Sequence, residues 1–260
     1  SLEHILYLTL SVSIDYQREA PSLWVSAANT FNDPETRYLF DPISLHLTRP
    51  HKIARDMQKY KLSKKPKKDS YIWRTVGVTF YKKWGGDPRN FLKNYNWNST
   101  EILNHLRNDT HLYNGKSVSD YPYLRGNKIA PLWLRLLRDG ARLAELKNMD
   151  EVPIPVDIHI ARATLTTGVV TGRIKNSRID KLFEYIRYAW RESVKGLRFK
   201  NRPMIALDMD RPLWLLSKFG CTNRDKIIGD CPCFNECYVR DFCIKGTVNI
   251  ENNVVVELNT

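Results

Sequence analysis

Residues 121–168 constrain this chain more than any other stretch. They read YPYLRGNKIAPLWLRLLRDGARLAELKNMDEVPIPVDIHIARATLTTG. A tight turn, Leu124-Arg125-Gly126-Asn127, leads into an apolar-periodic segment that opens with Lys128. A proline-punctuated, strand-like stretch, Val152 to Pro155, then delivers Asp157 to the start of another such segment. Apolar residues stepping by three and four predict a helix in each case. One amine and one carboxylate are therefore each expected at a helix N-terminus.

Most of the remaining chain also reads as helix. Leu2, Ile5, Leu6, Leu8 and Val12 predict a largely buried first helix, and Pro21-Ser22 opens a second with Leu23, Trp24, Ala27, Ala28 and Phe31 on one stripe. Asp33-Pro34, Asp41-Pro42 and Asp87-Pro88 each suit an N-cap carboxylate followed by proline at the first helical position. A further helix is expected after Arg49-Pro50. Residues 71–84 could be strand by propensity, but their spacing and the following Gly85-Gly86 predict a helix that stops there. Ser99-Thr100-Glu101 starts another, and a loop then runs to the central stretch. Asn176-Ser177 is expected to cap a long amphipathic helix ended by Gly196, and Asp210 opens a last one. Residues 247–258 alternate polar and apolar around Asn252-Asn253, the pattern of a short hairpin. The expected fold class is all-α with one terminal hairpin.

Lys plus Arg number 41 against 28 Asp plus Glu, a formal charge of +13. Such a surface suits a polyanion, nucleic acid first, because cations displace counterions condensed on the phosphate backbone. Lys64, Lys65, Lys67 and Lys68 lie in an apolar-free loop that either steers such a partner or is simply solvated. An apolar fraction of 42% and seven Trp exclude a disordered chain. No run is long and apolar enough for a membrane span, and the chain opens on a helical pattern rather than a leader, which predicts an intracellular protein of cytoplasm or nucleoid. All five Cys fall between 221 and 243, which points to a metal before a disulfide framework.

Gly126-Asn127-Lys128-Ile129-Ala130, then Val156-Asp157-Ile158-His159-Ile160 with Arg162, resemble the hairpin and catalytic aspartate of the helix-hairpin-helix DNA glycosylases, the endonuclease III group. Leu10 to Asp15 resembles that family's first barrel helix, where Gln is usual at the place of Ser13. The family hairpin usually has two glycines, and Tyr123 or Leu124 stands in the region of the first. The insert of roughly residues 139–151 resembles the archaeal branch devoted to oxidised guanine, which lacks a cysteine loop. Phe219-Gly220-Cys221 followed by CPCFNECYVRDFC resembles the family's four-cysteine [4Fe–4S] loop. The last gap, Cys237 to Cys243, matches; the first is longer, and one Cys is extra.

The resemblance implies two helical lobes, residues 1–149 and 150–246, with a tail or hairpin over 247–260. Lys128 would be the nucleophilic amine and Asp157 the carboxylate that stabilises charge at C1′ and accepts a proton. Burial and the positive helix end would favour the neutral, attacking form of the lysine. Arg125, Gly126, Asn127, Arg162, Arg240 and Lys245 would contact the DNA backbone. Cys221, Cys233, Cys237 and Cys243 would hold the cluster, with Cys231 able to replace Cys233. Structural zinc or a disulfide pair are the alternatives. The implied partner is duplex DNA with a damaged base, bound by a monomer, with the damaged nucleotide flipped into a cleft. The implied reaction is base removal, of an oxidised base first, with lyase cleavage. The alternatives are a monofunctional glycosylase for a deaminated or mismatched base, or a non-catalytic nucleic-acid-binding module. Trp24, Trp84 and Trp214 are the expected pocket aromatics.

Overall fold

The computed structural model describes residues 1–225, 230–244, 246–251 and 254–259. The protein is mostly helical, with eleven α-helices and three small antiparallel sheets among the described residues. It divides into two compact units, Ser1–Glu151 and Val152–Thr260. None of its described helices is long and apolar enough to cross a membrane.

The first unit contains α1 (Leu2–Ser13), α2 (Ala20–Asn32), α3 (Pro42–Leu47), α4 (Pro50–Asp56), α5 (Pro66–Trp84), α6 (Pro88–Asn94), α7 (Ser99–Asn108), a hairpin of β1 (Thr110–Tyr113) and β2 (Lys116–Ser119), and α8 (Ile129–Asp139). Its core forms around α5, whose buried face carries Ile72, Trp73, Val76, Gly77 and Phe80. A Cβ at Gly77 would run into Leu45 of α3, so that close packing needs a glycine. Gly85 ends α5 in the left-handed conformation at φ 62°. Trp133 of α8 is fully buried and donates to Thr9 Oγ1 of α1 at 2.9 Å. That bond satisfies the indole while its rings contribute about 2–3 kcal/mol of burial, and it fixes the helix that starts at Lys128 against α1.

The second unit contains α9 (Ile158–Thr166), β3 (Arg173–Arg178), α10 (Asp180–Ser193), β4 (Arg198–Phe199), β5 (Arg202–Pro203), α11 (Asp210–Phe219), β6 (Thr247–Glu251) and β7 (Val254–Asn259). Ile154, Val156, Ile160, Leu165, Leu182, Ile186, Trp190 and Leu213 are among the residues of its core. Trp190 Nε1 donates to Thr164 Oγ1 at 2.8 Å, tying α10 to α9.

Several sequence expectations change. Asp41 and Asp87 cap α3 and α6 through backbone N–H bonds, but Asp33 only turns the chain, accepting from Glu35 N at 3.0 Å. Residues 110–119, expected as loop, form the β1–β2 hairpin; Asn114 and Gly115 at φ 49° and 72° supply its turn. Asn176 does not cap α10: it lies in β3, and the helix starts at Asp180. The terminal hairpin is present as β6–β7, with Asn252-Asn253 outside the described residues, and β3 adds a third strand beside β7. Residues 152–155, expected as strand-like, form no strand and pair with none among the described residues.

Candidate active site

Asp157 sits where buried neighbours leave it little freedom. Ile154 and Val156 anchor the extended segment in the second unit's core, and Asp157 follows half-buried at φ −127°. Its Oδ1 accepts from His159 N at 2.9 Å and Ile160 N at 3.0 Å. Those bonds satisfy two orphan donors of α9 and hold the carboxylate at the positive end of the helix. The side chain is therefore the N-cap of α9.

Lys128 is the N-cap residue of α8 in the first unit. The turn before it differs from expectation in where the strain lies. Tyr123, not Gly126, adopts the left-handed conformation, at φ 62°. Gly126 donates its N–H to Tyr123 O at 3.0 Å, and a Cβ there would approach the same oxygen to 3.2 Å. Ala130 N–H donates to Gly126 O at 2.9 Å, and Pro131 has no N–H. Arg125 and Asn127 are exposed beside this helix start.

A residue the sequence reading left without a role stands next to the amine. Lys128 Nζ lies 3.7 Å from Oδ2 of Asp15, whose side chain is only 6% exposed. Asp15 follows α1, and its N–H is held by Val12 O at 3.0 Å. A buried carboxylate therefore faces the amine, a neighbour that the sequence expectation did not include. The helical signal runs out at Ser13, and the contact joins residues remote in sequence, so no local pattern announced it. Ser13 itself is buried and donates to Leu10 O at 2.7 Å, which removes it from any surface contact.

The other expected site residues fall into two groups. Arg162 is turned inward: Nη1 donates to Thr222 Oγ1 at 3.0 Å and Ser217 Oγ at 3.4 Å. Burial lowers its pKa, opposed by the charges of Cys221 and Asp157. It braces α9 against the cysteine segment instead of offering an open phosphate contact. His159 is likewise structural, its Nδ1 3.2 Å from Ser217 Oγ and its ring beside Trp214. Arg240 remains exposed, with Nη1 donating to Asn235 O at 2.7 Å. Lys245 lies outside the described residues. Trp24 and Trp84 belong to aromatic packing of the first unit: Trp24 lies beside Tyr7, and Trp84 donates to the Tyr121 hydroxyl at 2.8 Å. Trp214 is partly buried against the core of the second unit.

All five Cys are free thiols, so a disulfide pair is not formed, and all five line one cavity with Thr166, Leu216, Phe234 and Val239. The cavity among them has a volume of about 30 Å³. Burial raises the Cys221 thiol's pKa against a Thr166 hydrogen bond, and the neighbouring Cys231, Cys237 and Cys243 raise it further. Among the described residues no three Cys, His, Asp or Glu side chains converge tightly enough to hold a single metal ion. The donor chemistry nonetheless suits a thiolate-bound group. Arg224, which the sequence reading passed over, is 8% exposed; it donates to Cys243 Sγ at 3.4 Å and to Ile244 O and Gly246 O at 2.7 and 2.6 Å. Its Nε is buried with no partner among the described residues. A buried guanidinium against a sulfur calls for negative charge in the cavity. The segment is also sewn to α9: Thr166 Oγ1 donates to Cys221 Sγ at 3.2 Å, and Ile244 N to Thr166 O at 3.0 Å.

Lys128 and Asp157 belong to different units of the chain. No known protein-family model matches this chain, and no curated protein matches it.

Proposed function

We propose that the protein is a DNA base-excision glycosylase with associated lyase activity, acting on duplex DNA that carries a damaged, oxidised base. The observation that carries this reading is Asp157, a carboxylate fixed by two helix N–H bonds at the end of a buried, proline-bounded segment, in a chain that starts another helix on Lys128. The +13 charge supports the polyanionic partner.

In this mechanism the Lys128 nitrogen attacks C1′ of an extruded nucleotide. The N-glycosidic bond breaks, and the base leaves with its electron pair and takes a proton. Asp157 stabilises the positive charge that develops on the sugar and accepts a proton from the attacking amine. The C1′–O4′ bond then opens, with O4′ taking a proton, to give a Schiff base, and β-elimination of the 3′ phosphate cuts the strand. Cys221, Cys233 or Cys231, Cys237 and Cys243 would hold a [4Fe–4S] cluster, or zinc, that braces the loop and takes no part in the chemistry.

The Lys128–Asp15 pair favours a second reading. If that contact persists with substrate bound, Lys128 is a positioning cation, and water replaces it as nucleophile in a monofunctional glycosylase. A panel of lesion-bearing duplexes tests both: base release with strand scission supports the lyase, base release alone supports the second reading, and no release from any lesion overturns the enzyme.

A further inference from the structure

The lysine-rich stretch of residues 63–70, expected as a loop, instead enters α5 at Pro66, so that Lys67 and Lys68 are helical, and it is not loosely solvated. Asp69, 2% exposed in the first turn of α5, accepts from Ser63 Oγ at 2.9 Å and from the backbone N–H groups of Lys64 and Lys65 at 2.8 Å each. The same carboxylate accepts the hydroxyl of Tyr16, just past α1. Lys64 Nζ reaches Gln17 O at 2.8 Å, and Lys65 Nζ bonds the Gln17 amide oxygen. A buried carboxylate thus orders a segment carrying Lys64, Lys65, Lys67 and Lys68. Concentrating like charges this way opposes folding by mutual repulsion, and an anionic partner removes that cost.

Two aromatic rings complete the surface. Tyr16 and Tyr123 pack with centroids 4.4 Å apart and planes 31° from parallel. Lys68 Nζ lies 4.5 Å from the Tyr123 centroid and 5.0 Å from that of Tyr16. The Lys68 ammonium is thus nearly equidistant from the two ring centroids and within cation–π reach of both. Tyr123 is 36% exposed and held at φ 62°, a conformation costly for a residue of this size. The turn therefore presents a ring in a place where glycine would be relaxed.

We propose that Tyr123, backed by Tyr16 and flanked by Lys68, is a stacking site for one unpaired nucleobase, with the phosphate of that nucleotide at Lys68 and the neighbouring lysines. The chemistry matches what single-stranded nucleic acid requires: a flat π-face for the base and a flanking cation for the backbone. It rests on the nucleic-acid part of the function proposed above and not on its catalytic part.

The test uses the full chain and 2-aminopurine, once in a single strand and once in a duplex opposite a tetrahydrofuran abasic analogue that cannot be excised. Stacking quenches the probe. The wild type should quench it in at least one of the two substrates: in the duplex alone if the base must be unpaired within a helix, in both if a free strand suffices. Tyr123→Gly suits the left-handed turn and so remains folded; it should lose the quench and weaken binding by about tenfold or more. Tyr123→Phe should retain both. Lys68→Ala should lower the slope of log affinity against log salt by about one. A wild type that leaves both probes unquenched, or a folded Tyr123→Gly variant that quenches and binds like it, overturns the site. A wild type that quenches but excises no base overturns the glycosylase and leaves this site standing; one that excises with no quench does the reverse.

Discussion

Lys128 Nζ faces Oδ2 of the buried Asp15 at 3.7 Å. A lysine on a flexible stem is thereby given a defined position by a carboxylate from the segment just past α1 in the same unit, in addition to its place at the start of α8. Under the proposed mechanism Asp15 sets where the amine waits. Asp15→Asn keeps the shape and removes the counter-charge. Covalent trapping by Lys128 is expected to slow by about ten- to a hundredfold, as misplacement of a reacting group does, while duplex affinity stays within about twofold of wild type. Single-turnover trapping and a binding titration check the two halves; equal loss of both would assign Asp15 a purely structural role.

Asp157 caps α9, and under the proposed mechanism it has a second, separable role as the catalytic carboxylate. Asparagine caps almost as well as aspartate, so Asp157→Asn should retain stability within about 0.5 kcal/mol, whereas Asp157→Ala should lose about 1 kcal/mol. Both should lower base excision by about a hundredfold or more if the carboxylate stabilises the sugar cation. Chemical denaturation and excision kinetics on the same samples separate the roles. Full activity in Asp157→Asn would reduce this residue to its cap.

The cysteine cavity makes a compositional prediction. Protein prepared without oxygen should contain iron and acid-labile sulfide, and Cys221→Ser, Cys237→Ser and Cys243→Ser should each remove them. Four thiolates suffice, so one of Cys231→Ser and Cys233→Ser should leave the metal in place. Because Thr166 bonds Cys221 Sγ and receives the N–H of Ile244, loss of the group should also lower the thermal midpoint of the second unit. Stoichiometric zinc would identify the alternative ligand, and metal-free protein would remove both.

Tyr16 supplies a pH-dependent contribution to stability. Burial, and then its hydrogen bond to Asp69, raise its pKa above the ordinary tyrosine value of 10.0. A group with a raised folded-state value stabilises fully below its unfolded value, and that stabilisation is lost as pH climbs from about 10 through the folded value. Wild type should therefore lose stability above pH about 10 more steeply than Tyr16→Phe, while below that pH the variant is the weaker of the two. Denaturant midpoints across pH 8 to about 11 measure the difference; parallel curves would contradict it.

Legibility in the sequence followed the range of the interactions. The α5 helix, the caps at Asp41 and Asp87, and the helix starts at Lys128 and Asp157 were readable because spacing and local hydrogen bonding decide them. The β1–β2 hairpin reads as loop in the sequence: Asn114-Gly115 is a strong turn signal, but the surrounding polar residues mask it. Strand β3 was not: its residues RIKNSR carry no alternation, and its partner β7 lies at the far end of the chain. The neighbours that define the candidate site were invisible for the same reason. Asp15 beside Lys128, Asp69 against Tyr16, and Arg224 against Cys243 are each polar contacts between separate segments, which no periodicity encodes.

Borohydride reduction of the protein on a lesion-bearing duplex tests the central claim most directly, because it freezes the bond between the Lys128 nitrogen and C1′. The account predicts a covalent protein–DNA adduct that maps to Lys128, is absent in Lys128→Ala, and forms far more slowly in Asp157→Asn. An adduct that persists in Lys128→Ala, or none in a wild type that binds the duplex, would contradict it.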